Sequence, residues 1–167
     1  MIIHIDWQGP LTEKEARGLD GVQDFGLYQW YGHHPVYGLN SLLYIGKAER
    51  QTFGQRLRQE NWEHWNPEVT AIYVGRISSD TPIDAKEWER QINLAERILV
   101  FSHSPAFNTS NLNNINHGPN DGDVRVFNWG MRRCLLPEVS ISRWTDSGKF
   151  GHKMPMNIIN CNEPHKT

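Results

Sequence analysis

Two cysteines in 167 residues, Cys134 and Cys161, are too few for a disulfide framework or a four-cysteine zinc site. Neither sits in a Cys-x-x-Cys pair, so they read as ordinary thiols. The chain also lacks an apolar run of the ~20 residues that span a bilayer. Its start, Met1-Ile2-Ile3-His4-Ile5-Asp6, lacks the basic residues and long apolar stretch of a secretory signal, which predicts a cytoplasmic protein with no membrane partner. There is no internal repeat and no low-complexity tract. An excess of positive charge is missing too: 17 Lys and Arg against 19 Asp and Glu give a net charge of −2, which argues against a surface that binds nucleic acid everywhere.

What is present is enough for one folded domain over 1–167. Hydrophobic residues make up 38%, seven Trp and five Tyr among them, so a packed core is affordable at this length. The charge is unevenly placed. Lys47 to Arg58 carries four basic groups against Glu49 alone, and 125–153 carries Arg125, Arg132, Arg133, Arg143, Lys149 and Lys153 against Glu138 and Asp146. The rest of the chain is acidic or neutral. Such islands are ordinarily solvated faces, and what adjoins them decides otherwise.

Pattern predicts the elements. Residues 1–23 read as an N-terminal addition: an apolar start, a turn at Gln8-Gly9-Pro10, and a short helix from Leu11 to Leu19 with Thr12 capping toward Glu15. Phe25 to Trp30 and Ser41 to Ile45 read as strands joined by a long loop. Thr52 to Trp62 has helical spacing, and Thr70 to Ile77 alternates as a third strand. The longest helix is predicted from Pro82 or Ile83 to Phe101, capped by Asp80 or Thr81, with Trp88, Ile92, Ala95 and Leu99 within about 60° of one another. Strands at Val124 to Phe127 and Glu138 to Trp144 form a C-terminal β extension, about 120–150. The expectation is an α+β fold: a small three-stranded antiparallel sheet flanked by helices, with that extension.

Chemistry enters at Gly26-Leu27-Tyr28 on the first strand of the hairpin and Tyr44-Ile45-Gly46-Lys47-Ala48 on the second. They are followed by Phe53-x-x-Arg56 on a helix, Glu96 on the long helix and Asn108 after Ser104-Pro105-Ala106-Phe107. Each piece alone is commonplace; five in order are not. The series resembles the GIY-YIG nuclease family over about residues 24–110. It departs from the minimal members in fifteen residues between the two tyrosine motifs, Gln29 to Leu43, and in about two extra residues between Tyr44 and Arg56.

The resemblance implies a metal-dependent endonuclease that hydrolyses DNA, with RNA not excluded, using one Mg²⁺ ion (Mn²⁺ substituting) and leaving a 5′-phosphate. The residues fit that chemistry. Glu96 lies about 60° off the apolar stripe, where a carboxylate can hold a hard cation and still reach a cleft. Arg56 offers a planar fork to phosphate oxygens. Tyr28 is expected to be the base or water-positioning group, aided by the charge of Lys47, and Tyr44 an orienting donor. Asn108 is expected to tie its loop to the site. Arg50, Arg58, Arg132, Arg133 and Arg143 are candidate nucleic-acid contacts, the last three on an arm. His33, His34 and His64 lack helical i, i+4 pairing, which discounts zinc. The alternative is a nucleic-acid-binding module that keeps the fold and cleaves only within an assembly, or not at all. Sequence leaves oligomeric state open.

Overall fold

The computed structural model describes residues 1–60, 69–79, 84–113 and 122–141. In chain order the elements are β1 (Ile2–Leu11), α1 (Glu13–Arg17), β2 (Gly26–His34), β3 (Gly38–Ala48), α2 (Phe53–Gln59), β4 (Val69–Ser78), α3 (Ala85–His103), β5 (Arg125–Gly130) and β6 (Glu138–Ser140). The helix starts are written in short side chains. Thr12 and Glu15 form a capping box at α1, Thr52 and Gln55 form another at α2, and Asp84 accepts from Glu87 N–H at 2.8 Å to start α3. Ser104 in the left-handed region, followed by Pro105, ends α3.

Among the described residues the strands form one sheet in the order β3-β2-β4-β1-β5-β6. It is six-stranded and mixed, not three-stranded. The three expected strands β3, β2 and β4 are adjacent and antiparallel, and β1 continues the sheet, antiparallel to β4 and parallel to β5. Helices α1 and α2 cover one face of the β2–β4 half, with Phe53, Leu57 and Ala16 against Tyr28, Trp30, Ile72 and Val74. Helix α3 covers the other face, where Ile92, Ala95, Ile98 and Leu99 meet Ile3, Ile5, Trp7, Leu27 and Tyr31. No described helix is long and apolar enough to cross a membrane.

Three expectations change. The N-terminal segment is interior: Ile3, Ile5 and Trp7 alternate into the core at 1% exposure or less, and a bulge between Gln8 and Leu11 carries Gly9-Pro10 within the strand instead of ending it. The long hairpin loop is mostly strand, because β2 and β3 keep pairing out to His34 and Gly38 and only 35–37 turn. The C-terminal extension is fused to the sheet through β5, and β6 pairs antiparallel to β5. Helix α3 is capped by Asp84 and not by Asp80 or Thr81; Trp62, His64, Arg143, Trp144 and Cys161 lie outside the described residues.

One side chain fastens β1 to β5 and to the segment that leads into β6. Trp7 Nε1 donates to Asn128 Oδ1 at 2.9 Å, and Asn128 Nδ2 donates to the Leu136 carbonyl at 2.8 Å, with Asn128 only 3% exposed. Asn128→Ala strands a buried indole N–H and a carbonyl, so it should lower the unfolding free energy by about 2 kcal/mol. Urea denaturation checks this; a midpoint equal to wild type would refute the fastening role.

Candidate active site at the edge of the sheet

The motif glycines are there for space. Gly46 faces Tyr28 across the hairpin, and a Cβ on it would lie 2.4 Å from the Tyr28 phenol and 2.6 Å from the Tyr44 ring. Gly26 takes a φ of 144°, and a Cβ there would lie 2.1 Å from the Gly75 carbonyl oxygen of β4. The bare backbone lets the two tyrosine rings tilt together, 6.2 Å between centroids and 33° between planes.

Alternation along β3 then splits the site between the two faces. Tyr44 joins the core under α2, while Ile45 joins the core under α3. Lys47, in phase with Ile45, reaches α3: its ammonium donates to Asn93 Oδ1 and lies 3.2 Å from Glu96 and 3.6 Å from Glu49. Glu96 is 15% exposed. Burial pushes its carboxyl above the usual range, Lys47 pulls it back, and Glu49 adds to the rise. On the other face Arg56 pairs with Glu60 one turn on, and Tyr28 Oη donates to Glu60 Oε1 at 3.2 Å.

Past α3, Ala106 N–H and Phe107 N–H donate to the Leu42 and Leu43 carbonyls. Asn108 completes this edge, accepting from Ile45 N–H and donating to the Ile45 carbonyl, both at 2.9 Å. Beyond Ile45 the edge opens into a cleft of two lobes, each about 380 Å³, that share Tyr44, Lys47 and Glu96. One lobe adds Glu49, Arg50, Gln51 and Arg56. The other adds Arg97, Asn108, Thr109, Ser110 and Asn111.

The structure therefore brings Tyr44, Lys47, Arg50, Arg56, Glu96 and Asn108 to one cleft. Tyr28 stands directly behind it, fully buried and not among the lining residues. Its phenol is held well above the usual value near 10, by burial first and then by Glu60 and Tyr44; Tyr44 is raised by burial, Glu60 and Glu96. Arg58 turns away to Asp20, at 2.9 and 3.0 Å, and fastens α2 to α1. Arg132 donates to the Leu135 carbonyl, and Arg133 stacks 4.2 Å over Tyr31 and donates to Tyr73 Oη at 3.1 Å. Both brace the turn between β5 and β6. His34 Nδ1 accepts from the Val36 and Tyr37 N–H groups of the hairpin turn.

Sequence reasoning assigned no role to Glu49, Glu60, Asn93 or Arg97. Glu49 is two residues from Lys47, just past the end of β3, and Glu60 is four from Arg56, at the C-cap of α2, so both spacings were available as signals. Glu49 Oε2 is buried without a hydrogen bond, which matters for a cation. Among the described residues no cluster of three or more His, Cys, Asp and Glu exists. A pair of carboxylates around one ammonium is an all-oxygen set that suits a hard divalent ion completed by water and substrate. No protein-family model, curated protein or solved structure matches the chain.

Lys47 opposes the upward push of burial on Glu96. Replacing it with Met should therefore move the Glu96 carboxyl titration to higher pH, followed by carboxyl ¹³C NMR. An unchanged or lowered midpoint would show that Lys47 does not govern this carboxylate.

Proposed function

We propose that the cleft hydrolyses nucleic-acid phosphodiesters, as a metal-dependent endonuclease of GIY-YIG type acting on DNA. The observation that supports this most is the convergence of Tyr44, Lys47, Arg56 and Glu96 from β3, α2 and α3 on one cavity. Glu96, with Glu49 beside it, would hold the Mg²⁺ ion, which when bound supplies counter-charge to the leaving 3′ oxygen.

Each side chain then has a part set by its position. Arg56 meets the non-bridging oxygens with its guanidinium, exchanging Glu60 for phosphate as partner. Tyr44, rather than Tyr28, faces the water, because its phenol lines both lobes while Tyr28 is sealed behind Gly46. With both phenols raised above 10 and Lys47 paired to carboxylates, Tyr44 works as a neutral positioning group. The water oxygen bonds to phosphorus as the P–O3′ bond breaks. Its proton leaves through the open cleft, and the 3′ oxygen takes one from solvent. Tyr28 buttresses Tyr44 and carries the hydrogen bond to Glu60. Lys47 keeps the Glu96 carboxylate ionised against burial.

The direct experiment is relaxation of supercoiled plasmid with Mg²⁺. Wild type should nick, Glu96→Ala should abolish nicking, and Arg56→Ala should slow it by about 10²-fold or more. No nicking by folded wild type on DNA or RNA would leave the non-catalytic binding module as the reading. Because an ionised Glu96 is required to bind Mg²⁺, the Mg²⁺ concentration for half-maximal nicking should rise as the pH falls, starting above the ordinary glutamate value of about 4.3. A half-maximal concentration that stays constant down to that value would remove Glu96 from the metal.

A further inference from the structure

We propose that the second lobe of the cleft seats the neighbouring phosphate of the same nucleic-acid strand, with Arg97 as its charge and Thr109, Ser110 and Asn111 as its neutral donors. The inference rests on the reading of the shared centre as the hydrolytic site. That centre, Tyr44, Lys47 and Glu96, lies between two lobes of equal size, about 380 Å³ each. Arg56 and Arg50 serve one lobe, and Arg97 serves the other.

The placement follows from α3 and from β3. Arg97 is the residue after Glu96 and is rotated about 100° from it around the helix, so one turn of α3 presents a carboxylate to the centre and a guanidinium to the adjoining lobe. Residues 109–111 start from a fixed point, since Asn108 is clamped to both backbone groups of Ile45. Asn111 then takes a φ of 63°, bending the loop at the lobe that it lines. The lining is one guanidinium, one ammonium, hydroxyls and amides against the single carboxylate of Glu96. Such a set is matched by an anion with several acceptor oxygens and no apolar body. A strand with one phosphate at the centre carries the next phosphate away from it along the backbone. The lobe opposite Arg56 is continuous with the centre and supplies the donors that phosphate needs. Two anchored phosphates also fix the direction of the strand across β3, which one anchored phosphate leaves free.

The test uses the full chain, a fluorescein-labelled single-stranded oligonucleotide and anisotropy over a salt series without divalent metal. Arg97→Ala should weaken binding by about tenfold and flatten the log–log salt slope by about 1, while Arg97→Lys keeps the wild-type slope. Hydrolysis supplies the second readout. With Mg²⁺, the loss in kcat/KM caused by Arg97→Ala should be about tenfold greater on the oligonucleotide than on thymidine 5′-(p-nitrophenyl phosphate), which has a single diester. Equal losses on the two substrates, or an unchanged affinity and slope, would overturn the second seat. If wild type hydrolyses neither substrate, the hydrolytic reading fails while the anisotropy series still decides the seat. If wild type does not bind the oligonucleotide, both fail.

Discussion

The register of β2 against β3, with Tyr28 opposite Gly46, is the constraint from which the cleft follows. A slip of one residue would reverse the face of every side chain on β3. In the observed register the missing Cβ of Gly46 admits two phenols on the α2 face, and the next residue, Lys47, is sent to the α3 face. One edge strand thereby recruits a guanidinium from one layer and a carboxylate from the other. Neither helix could build the cleft alone, since α2 and α3 lie on opposite sides of the sheet.

The cations of the cleft are held beside carboxylates. Lys47 lies between Glu96 and Glu49, Arg56 pairs with Glu60, and Arg50 pairs with Glu89. This arrangement resolves the net charge of −2. A weak anion gains little by displacing a carboxylate already in place, whereas a phosphodiester fitted to several donors at once can compete. In the proposed function the basic island at 47–58 would act through such exchanges. Arg132 and Arg133 of the second island brace the turn between β5 and β6, outside the cleft.

The local parts of the site were legible in the sequence because they are set by neighbours a few residues away: Thr12 as a cap, the tyrosine and glycine triplets in strands, Arg56 one turn into a helix, Asn108 after Ser104-Pro105. Pairing over long separations was not legible. The parallel pairing of Ile2–Trp7 with Arg125–Gly130, and the Trp7–Asn128 bond across 121 positions, leave no local period to read. Gly9-Pro10 read as a turn because a bulge that absorbs it depends on β4. Which of the two tyrosines lines the cleft was not legible for a related reason. Strand alternation places Tyr28 and Tyr44 on one face, and only the packing of α2 over that face decides which phenol reaches the cleft.

In the proposed reaction, water positioned in this cleft attacks phosphorus and expels the 3′ oxygen. The most direct measurement is a single-turnover cleavage of a defined oligonucleotide in H₂¹⁸O with Mg²⁺, analysed by mass spectrometry. One ¹⁸O atom should appear in a 5′-phosphate, with an unlabelled 3′-hydroxyl on the other fragment. A label in a 3′-phosphate, or products formed without ¹⁸O, would contradict it.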